Sequence, residues 1–310
     1  MRIATFNVQN LRLRRPGGQP RFDGARDADM PEDATPEGTA LDLADRRLTA
    51  AVLAQADADV VALQEVFDPA TLDFFHDHLL RQTGARPWPH RVCLPGNDGG
   101  GRNVALMSRR PLEEIQSHVA LMPADLGLAD HPGAREGRPV FCRDCLVARV
   151  GEVTLLACHF KAPWPEPEAA WTQRRLEALA VRRLIEVRFA DDPKALWLIL
   201  GDLNEPAVEP AGERAIAPLV EGFAVDLVAR MPQGDRWTWL APDGQTYARP
   251  DAMLASPALA ARWPAARPRA LREGLGSEAR RHPGPRLPDV GHHRPHASDH
   301  ALLMLDLPGA

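Results

Sequence analysis

The sequence lacks most of the features that would place it in a special class. Four cysteines, Cys93, Cys142, Cys145 and Cys158, in 310 residues are too few and too scattered for a disulfide framework. Cys142-Arg-Asp-Cys145 has the CxxC form, but no second pair or nearby histidine completes a zinc set. Its surroundings, VFCRDCLVARV, read as a strand, which sends residues three apart to opposite faces. No run approaches the ~18 consecutive apolar residues of a membrane span. MRIATFNVQNL enters an apolar strand pattern at once, unlike a signal peptide, so a cytoplasmic location with reduced thiols is expected. There is no GxxxxGK[ST] loop, no GxGxxG after the first strand and no GxSxG elbow. Charge of one sign is also missing: 37 basic residues face 42 acidic ones, for a net charge of −5. A blanket binder of nucleic acid is usually basic, so that class is excluded. Lysine is nearly absent, with only Lys161 and Lys194. Arginine forks suit phosphate, but with alanine and proline also abundant, a GC-rich genome is the simpler cause of the bias.

What is present suffices for a packed core: 45% of residues are hydrophobic and 25% charged. Short apolar strands are predicted at 1–7, 59–64, 102–108, 140–149, 153–160, 196–202, 249–255 and 300–306, several of them buried on both faces. Helices are predicted at 42–57, 69–83 and 168–190. Asp68-Pro69 suits the start of the second. In the third, Leu176, Leu179, Ala180, Arg183, Leu184 and Val187 form the expected buried stripe. Two long stretches, 12–40 and 262–297, read as irregular. No repeat or break in composition divides the chain, so residues 1–310 are expected to form a single domain.

The chemical signal lies at the strand ends. Asn7 closes the first strand, and Glu65 follows VVALQ. His159 ends VTLLACH, and Asp202 and Asn204 follow LWLIL. Asp251 opens a strand, and Asp299-His300 precedes the last one. One such residue is usually a turn former or cap; this many at the rims of buried strands indicates a site. Hard oxygen donors favour Mg²⁺ or Mn²⁺ over zinc. With two histidines, and Arg143 as a candidate, to stabilise negative charge, the set suits metal-assisted hydrolysis of a phosphate ester.

The ordered segments ATFNVQNL, VVALQEV, GRNVALMSRRPL, LLACHFKAP, LILGDLNEP, RPDAMLAS and ASDHALLMLDL resemble the endonuclease/exonuclease/phosphatase superfamily. The resemblance spans residues 1–308, apart from the two irregular stretches. It implies a four-layered α/β sandwich, two mostly antiparallel sheets packed face to face and flanked by helices. It implies that Asn7, Glu65 and Asp299 hold Mg²⁺ or Mn²⁺, and that Asp202 orients or deprotonates the attacking water. Asn204 would bond the phosphate, His300 would contact the phosphoryl group with Asp251 holding its ring, and His159 would bind phosphate or protonate the leaving oxygen. Arg143 matches a phosphate-binding arginine of the deoxyribonuclease-like branch. The implied activity is a phosphodiesterase on nucleic acid, DNA ahead of RNA, acting as a monomer with no membrane partner. A phosphatase or phosphodiesterase on a small metabolite or lipid headgroup is the alternative, and a silent binding module the remote one. The one tyrosine, Tyr247, lies after GDLNEP, which together with His159 argues against a strict abasic-site enzyme. Trp237-Thr238-Trp239 resembles a substrate-lining segment of nuclease members, with a core edge as the equal alternative.

Two loops carry further expectations. Between residues 262 and 297, eight arginines face Glu273, Glu278 and Asp289, a local charge of +5. The segment leads into Asp299-His300, so it is expected to border the cleft and attract a polyanion, with a solvated loop as the alternative. His292, His293 and His296 could ligate a transition metal, but without carboxylate support they read as incidental. The 12–40 stretch is acidic through Asp23, Asp27, Asp29, Glu32, Asp33 and Glu37, and follows Asn7 directly.

Overall fold

A computed structural model describes residues 1–27 and 34–310. In chain order it begins with β1 (Arg2–Leu11), a short hairpin of β2 (Leu13–Arg14) and β3 (Arg21–Phe22), α1 (Pro36–Ala56), β4 (Val60–Val66) and α2 (Pro69–Phe75). Next come β5 (His90–Cys93), β6 (Asn103–Ser108), β7 (Glu113–Gln116), β8 (Cys145–Val150), β9 (Val153–His159) and α3 (Pro167–Arg188). They are followed by β10 (Trp197–Asp202), α4 (Ala217–Val220), β11 (Val225–Asp226), β12 (Trp239–Leu240) and β13 (Tyr247–Ala248). The last are β14 (Asp251–Ala255), α5 (Pro257–Arg262), β15 (Arg269–Leu271) and β16 (Leu302–Asp306).

The strands form two six-stranded sheets, ordered β15-β16-β1-β4-β6-β5 and β11-β14-β10-β9-β8-β7. Each contains one parallel pair at its centre, β1 with β4 and β9 with β10, and is antiparallel elsewhere. Ile3, Val60 and Leu106 of one sheet meet Leu155, Leu198 and Met253 of the other in one apolar layer, all at most 1% exposed. The outer faces are covered by α1 and α2 on the first sheet and α3 on the second. The expected sandwich of two mostly antiparallel sheets and flanking helices is the observed fold. A strand packed on both sides must be apolar throughout, which is why the sequence shows near-continuous runs such as LWLIL.

Proline starts the longer helices. Thr35 Oγ1 accepts the Gly38 N–H at 3.0 Å ahead of Pro36, and Asp68 Oδ1 accepts the Thr71 N–H at 2.6 Å ahead of Pro69.

Several expectations need correction. The 140–149 strand begins only at Cys145, and Cys142 and Arg143 lie in a bend before it, so Cys142 and Cys145 do not share a strand. The 69–83 helix is α-helical only to Phe75, then passes through a π turn at His76–Leu80 and a 3-10 turn at Arg81–Thr83. The stretch 12–40 is not wholly irregular, since it contains the β2–β3 hairpin and the first turn of α1. Asp29, Glu32 and Asp33 lie outside the described residues. On α3 Leu176 and Ala180 of the expected stripe are buried, and the buried face continues through Ala170, Arg174, Glu177, Ala178, Val181 and Ile185, whereas Val187 is 74% exposed. Two buried charged residues on that face disguise its phase from any apolar count.

One glycine is dictated by packing. Gly201, inside β10 at φ +135°, lies so close to β9 that a Cβ there would meet the Cys158 carbonyl oxygen at 2.0 Å. Gly201→Ala must part the central parallel pair, so it is expected to cost roughly 2–5 kcal/mol. A denaturant melt showing a loss well under that range would contradict the strain argument.

Candidate active site

Parallel neighbours end at the same rim, and antiparallel neighbours begin there. Asn7 and Glu65 therefore arrive at one edge from β1 and β4, His159 and Asp202 from β9 and β10. Asp202 is in register with His159 on one side and with Asp251, the first residue of β14, on the other. Since β16 runs antiparallel to β1, the Asp299-His300 step just ahead of it enters at this rim too. The two halves meet where Asn7 Nδ2 donates to Asp202 Oδ2 at 3.0 Å, across the sheets.

Glu65 lies in the irregularity of the β4 pairing between Gln64 and Val66 and has φ +68°; Gln9, Asn10 and Asn204 nearby also have positive φ. Strained backbone of this kind concentrates at functional sites. The Glu65 carboxylate accepts the Asn10 N–H at 2.8 Å and faces Asn7 Nδ2 at 3.4 Å. Asp299 accepts the Trp239 indole N–H at 2.9 Å, while its own backbone N–H donates to Gln9 Oε1 at 3.1 Å. Burial, and then the charge of Asp299, raise the Glu65 carboxyl above its usual range. Two half-buried carboxylates in one another's field, beside the amide of Asn7, make a hard oxygen donor set whose excess negative charge a divalent cation would neutralise. The residues fit such an ion.

The two histidines are driven to opposite charge states. His300 Nδ1 lies 2.9 Å from Asp251 Oδ2, and its Nε2 lies 3.8 Å from Asp202 Oδ2. Burial opposes its protonation, but Asp251, Asp299 and Asp202 together raise its pKa well above that of a free imidazole. His159 Nε2 lies 3.6 Å from Asp202 Oδ2. Burial first, then the charges of Arg143 and His300, lower its pKa well below the usual value, so the ring is neutral. Its Nδ1 is buried without a hydrogen-bond partner among the described residues. Asp202 itself is pushed up to about 6 by burial, against the favourable charge of His300. Groups whose surroundings drive their pKa values apart are the mark of acid–base sites.

These residues open onto a cavity of about 1650 Å³. Arg143 lines it, with Nη1 donating to the Phe160 carbonyl at 2.8 Å and Nε 3.6 Å from Asp98. Asn204 Nδ2 donates to the same carbonyl at 3.0 Å, and its backbone N–H to Asp202 Oδ1 at 2.9 Å. All the residues singled out from the sequence, Asn7, Glu65, Arg143, His159, Asp202, Asn204, Asp251, Asp299 and His300, are brought together. Asp251 stands behind His300, while the other eight line the cavity.

Three features escaped the sequence. Arg102 lines the cavity, tied to Asn10 Oδ1 at 2.9 Å and to Asp98 at 3.2 Å; its place in GRNVALMSRRPL, one of the segments that carry the resemblance, is the available signal. Glu177, fully buried on α3, accepts the backbone N–H groups of Cys142 at 2.9 Å and Lys161 at 2.8 Å. It thereby holds the two segments that carry Arg143 and follow His159. Nothing in the helical pattern marks it. Arg135 and Arg138 also line the cavity, both exposed.

The RWTW segment splits between its two readings. Trp237 is a buried core residue against Tyr247, with rings 4.8 Å apart, whereas Trp239 lines the cavity. The arginine-rich loop is a correction. Among the described residues, none between 262 and 297 lines the cavity. Several of its arginines are engaged by the protein: Arg272 sits 4.3 Å over the Trp237 ring, Arg281 4.1 Å over Tyr247, and Arg294 bonds Asp42 and Asp45 at 2.7 Å each, while Arg267 and Arg280 are exposed. The loop reaches the rim only through its end, where the chain turns into Ser298, Asp299 and His300.

Comparison with known proteins agrees with this geometry. The solved structure of an AP endonuclease from Archaeoglobus fulgidus superposes with a TM-score of 0.58 at 15% identity, covering 99% of both chains. A 3'-5' exonuclease from Neisseria meningitidis gives 0.58 at 16% identity, again over 99% of both. A mannosyl-6-phosphatase from Bacteroides thetaiotaomicron gives 0.57 at 14%, over 99% of this chain and 98% of that one. At such identities the likeness is one of fold. No curated protein sequence matches the chain. A family profile does, over residues 4–300. The chain belongs to the Endonuclease/Exonuclease/phosphatase family, whose members are hydrolases of phosphoester bonds.

Proposed function

We propose that this protein is a Mg²⁺- or Mn²⁺-dependent phosphodiesterase that cleaves nucleic acid, DNA in preference to RNA, by attack of water on phosphate. The observation that carries the reading is Asp202, a buried carboxylate between a neutral and a protonated histidine, beside the Glu65–Asp299 pair. Glu65 and Asp299, with the Asn7 carbonyl, would hold the cation, which when bound supplies positive charge to the phosphoryl oxygens and acidifies water. Asp202 takes the proton of the attacking water, its raised pKa making it a better base than an ordinary carboxylate while leaving it ionised at neutral pH. His300, oriented by Asp251, donates a charged hydrogen bond to the phosphoryl group as negative charge builds there. Asn204 and Arg143 present N–H donors to the same phosphate. His159, which lines the cavity with Nε2 3.6 Å from Asp202, would bind the phosphate or protonate the leaving oxygen.

The shape of the cavity supports a polymeric substrate. It extends from the carboxylates to Arg135 and Arg138, and along the 72%-exposed ring of Trp164. Arginines there can meet flanking phosphates and the indoles can stack on bases. The fold is shared with the AP endonuclease and the exonuclease, which supports the nuclease reading, and with the mannosyl-6-phosphatase, which keeps a small phosphomonoester as the rival. We further propose that the protein acts as a cytoplasmic monomer.

Purified protein with Mg²⁺ or Mn²⁺ should be assayed on plasmid DNA, RNA, abasic duplex, bis-p-nitrophenyl phosphate and a sugar phosphate. Cleavage of DNA is expected, and replacing Arg135 and Arg138 together by alanine should raise KM for DNA while sparing the small diester. Hydrolysis of the sugar phosphate alone would transfer the assignment to the phosphatase reading. No hydrolysis of any substrate would indicate a binding module.

A further inference from the structure

The histidine tract at residues 292–296 has no carboxylate near it in the linear sequence, but the fold supplies one. Ser277 donates its backbone N–H to the Gly291 carbonyl at 2.9 Å, laying residues 276–278 against 291–293. The Glu278 side chain, 16% exposed, folds back over Gly276, where a Cβ would come within 2.4 Å of either carboxylate oxygen. One carboxylate oxygen accepts the His293 backbone N–H at 2.8 Å, and the other lies 3.4 Å from His293 Nδ1. The His292 ring stands edge-on to that of His293, with centroids 4.3 Å apart. One ligand atom from each of Glu278, His292 and His293 lies within 4.8 Å of the other two.

Donors around a four-coordinate zinc ion, each at its usual bond length of ~2.0–2.1 Å, are about 3.3 Å apart. The Glu278–His293 pair already has that spacing, and rotation of the exposed His292 ring closes the rest. Arg294 next door is turned away onto Asp42 and Asp45, and Arg286, which feels the Glu278 charge, donates to the Arg272 and Ala279 carbonyls. His296 is not part of the group, since its Nε2 faces the Ala25 carbonyl at 2.7 Å.

We propose that Glu278, His292 and His293 bind a transition-metal ion of the zinc class, with a fourth position left to water. Two imidazoles and one carboxylate select such an ion over Mg²⁺, so this site differs in chemistry from the all-oxygen set at Glu65. It ties residue 278 to residues 292–293 and so closes the loop that delivers Asp299 and His300 to the rim.

The test is calorimetric titration of metal-stripped full-length protein with Zn²⁺, using wild type, Glu65→Ala, the double variant His292→Ala/His293→Ala, and Glu278→Gln. Glu65→Ala removes competition from the oxygen-rich site. Its protein should still bind one equivalent of Zn²⁺ and melt at a higher temperature with the ion. Adding the His292/His293 double change should abolish both effects, and Glu278→Gln should weaken the binding. The double variant concerns exposed side chains, and cooperative melting without metal will show that it folds. Zn²⁺ stoichiometry and melting shift unchanged by removal of the two histidines would overturn the site.

Discussion

Asp202→Asn is expected to slow phosphodiester hydrolysis on the order of 10²–10⁴-fold, the range general-base catalysis ordinarily supplies. The substitution is nearly isosteric at a residue 1% exposed, and one oxygen remains to accept the Asn7 or Asn204 N–H. Loss of rate should therefore come without loss of fold. The pH profile gives a second readout. Burial pushes the carboxyl up to about 6, so the wild-type base is ionised above that pH and becomes protonated as pH falls through it. kcat/KM should consequently decline on the acid side near about 6, and the variant should lack this limb. Bis-p-nitrophenyl phosphate suits the measurement because it needs no contact with the outer arginines. Turnover close to wild type would remove Asp202 from the chemistry.

Glu65→Gln should be at least as damaging, lowering turnover by about 10³-fold or more at ordinary Mg²⁺, because it removes the buried charge proposed to hold the cation. The sign of its effect on stability is opposite. Glu65 has a raised pKa in the folded protein, through burial and the charge of Asp299, so in the absence of metal its ionisation costs stability as pH rises through the unfolded value. Neutral glutamine removes that cost while keeping an acceptor for the Asn10 N–H. In chelator, the variant should melt higher than wild type at neutral pH; with Mg²⁺, wild type should gain stability and the variant should not. A lower melting point in chelator would mean that Glu65 is a structural residue and not a site assembled for a charge.

The opposed effects on rate and stability explain why these residues could be read from the chain. A strand buried on both faces has no packing use for a carboxylate at its end, so Glu65 after VVALQ and Asp202 after LWLIL are visible against an apolar background. Asp251 and His300 are visible for the same reason. The background fails on α3, where Glu177 and Arg174 are buried among helical residues that look solvent-facing, and of the predicted stripe only Leu176 and Ala180 are fully buried. It fails again at Arg102 and Glu177, whose roles depend on partners 92 and 35 or fewer positions away in sequence and on no local pattern.

Charge shows the same division. The local +5 of the 262–297 loop is a property of composition, and composition says nothing of where a guanidinium is consumed. Carbonyls, aromatic faces and Asp42 and Asp45 outside the loop take up Arg272, Arg281 and Arg294. The cations facing the cavity are instead Arg102, Arg135, Arg138, Arg143 and Lys161, scattered over about sixty positions. The histidine tract is the converse case, lacking a carboxylate in sequence and receiving Glu278 in space.

The linear chain alone specified the four inner strands of each sheet, their burial, the helix start at Asp68-Pro69, and the acids at the strand ends, because those depend on near neighbours and on the period of apolar residues; the edge strands and the start of α1 at Pro36 were not legible in it. Tertiary structure decided which ends share a rim, through one parallel pair in each sheet and the antiparallel strands beside it. It also decided the protonation of His159 and His300, because a pKa is set by burial and by charges that only folding brings within reach.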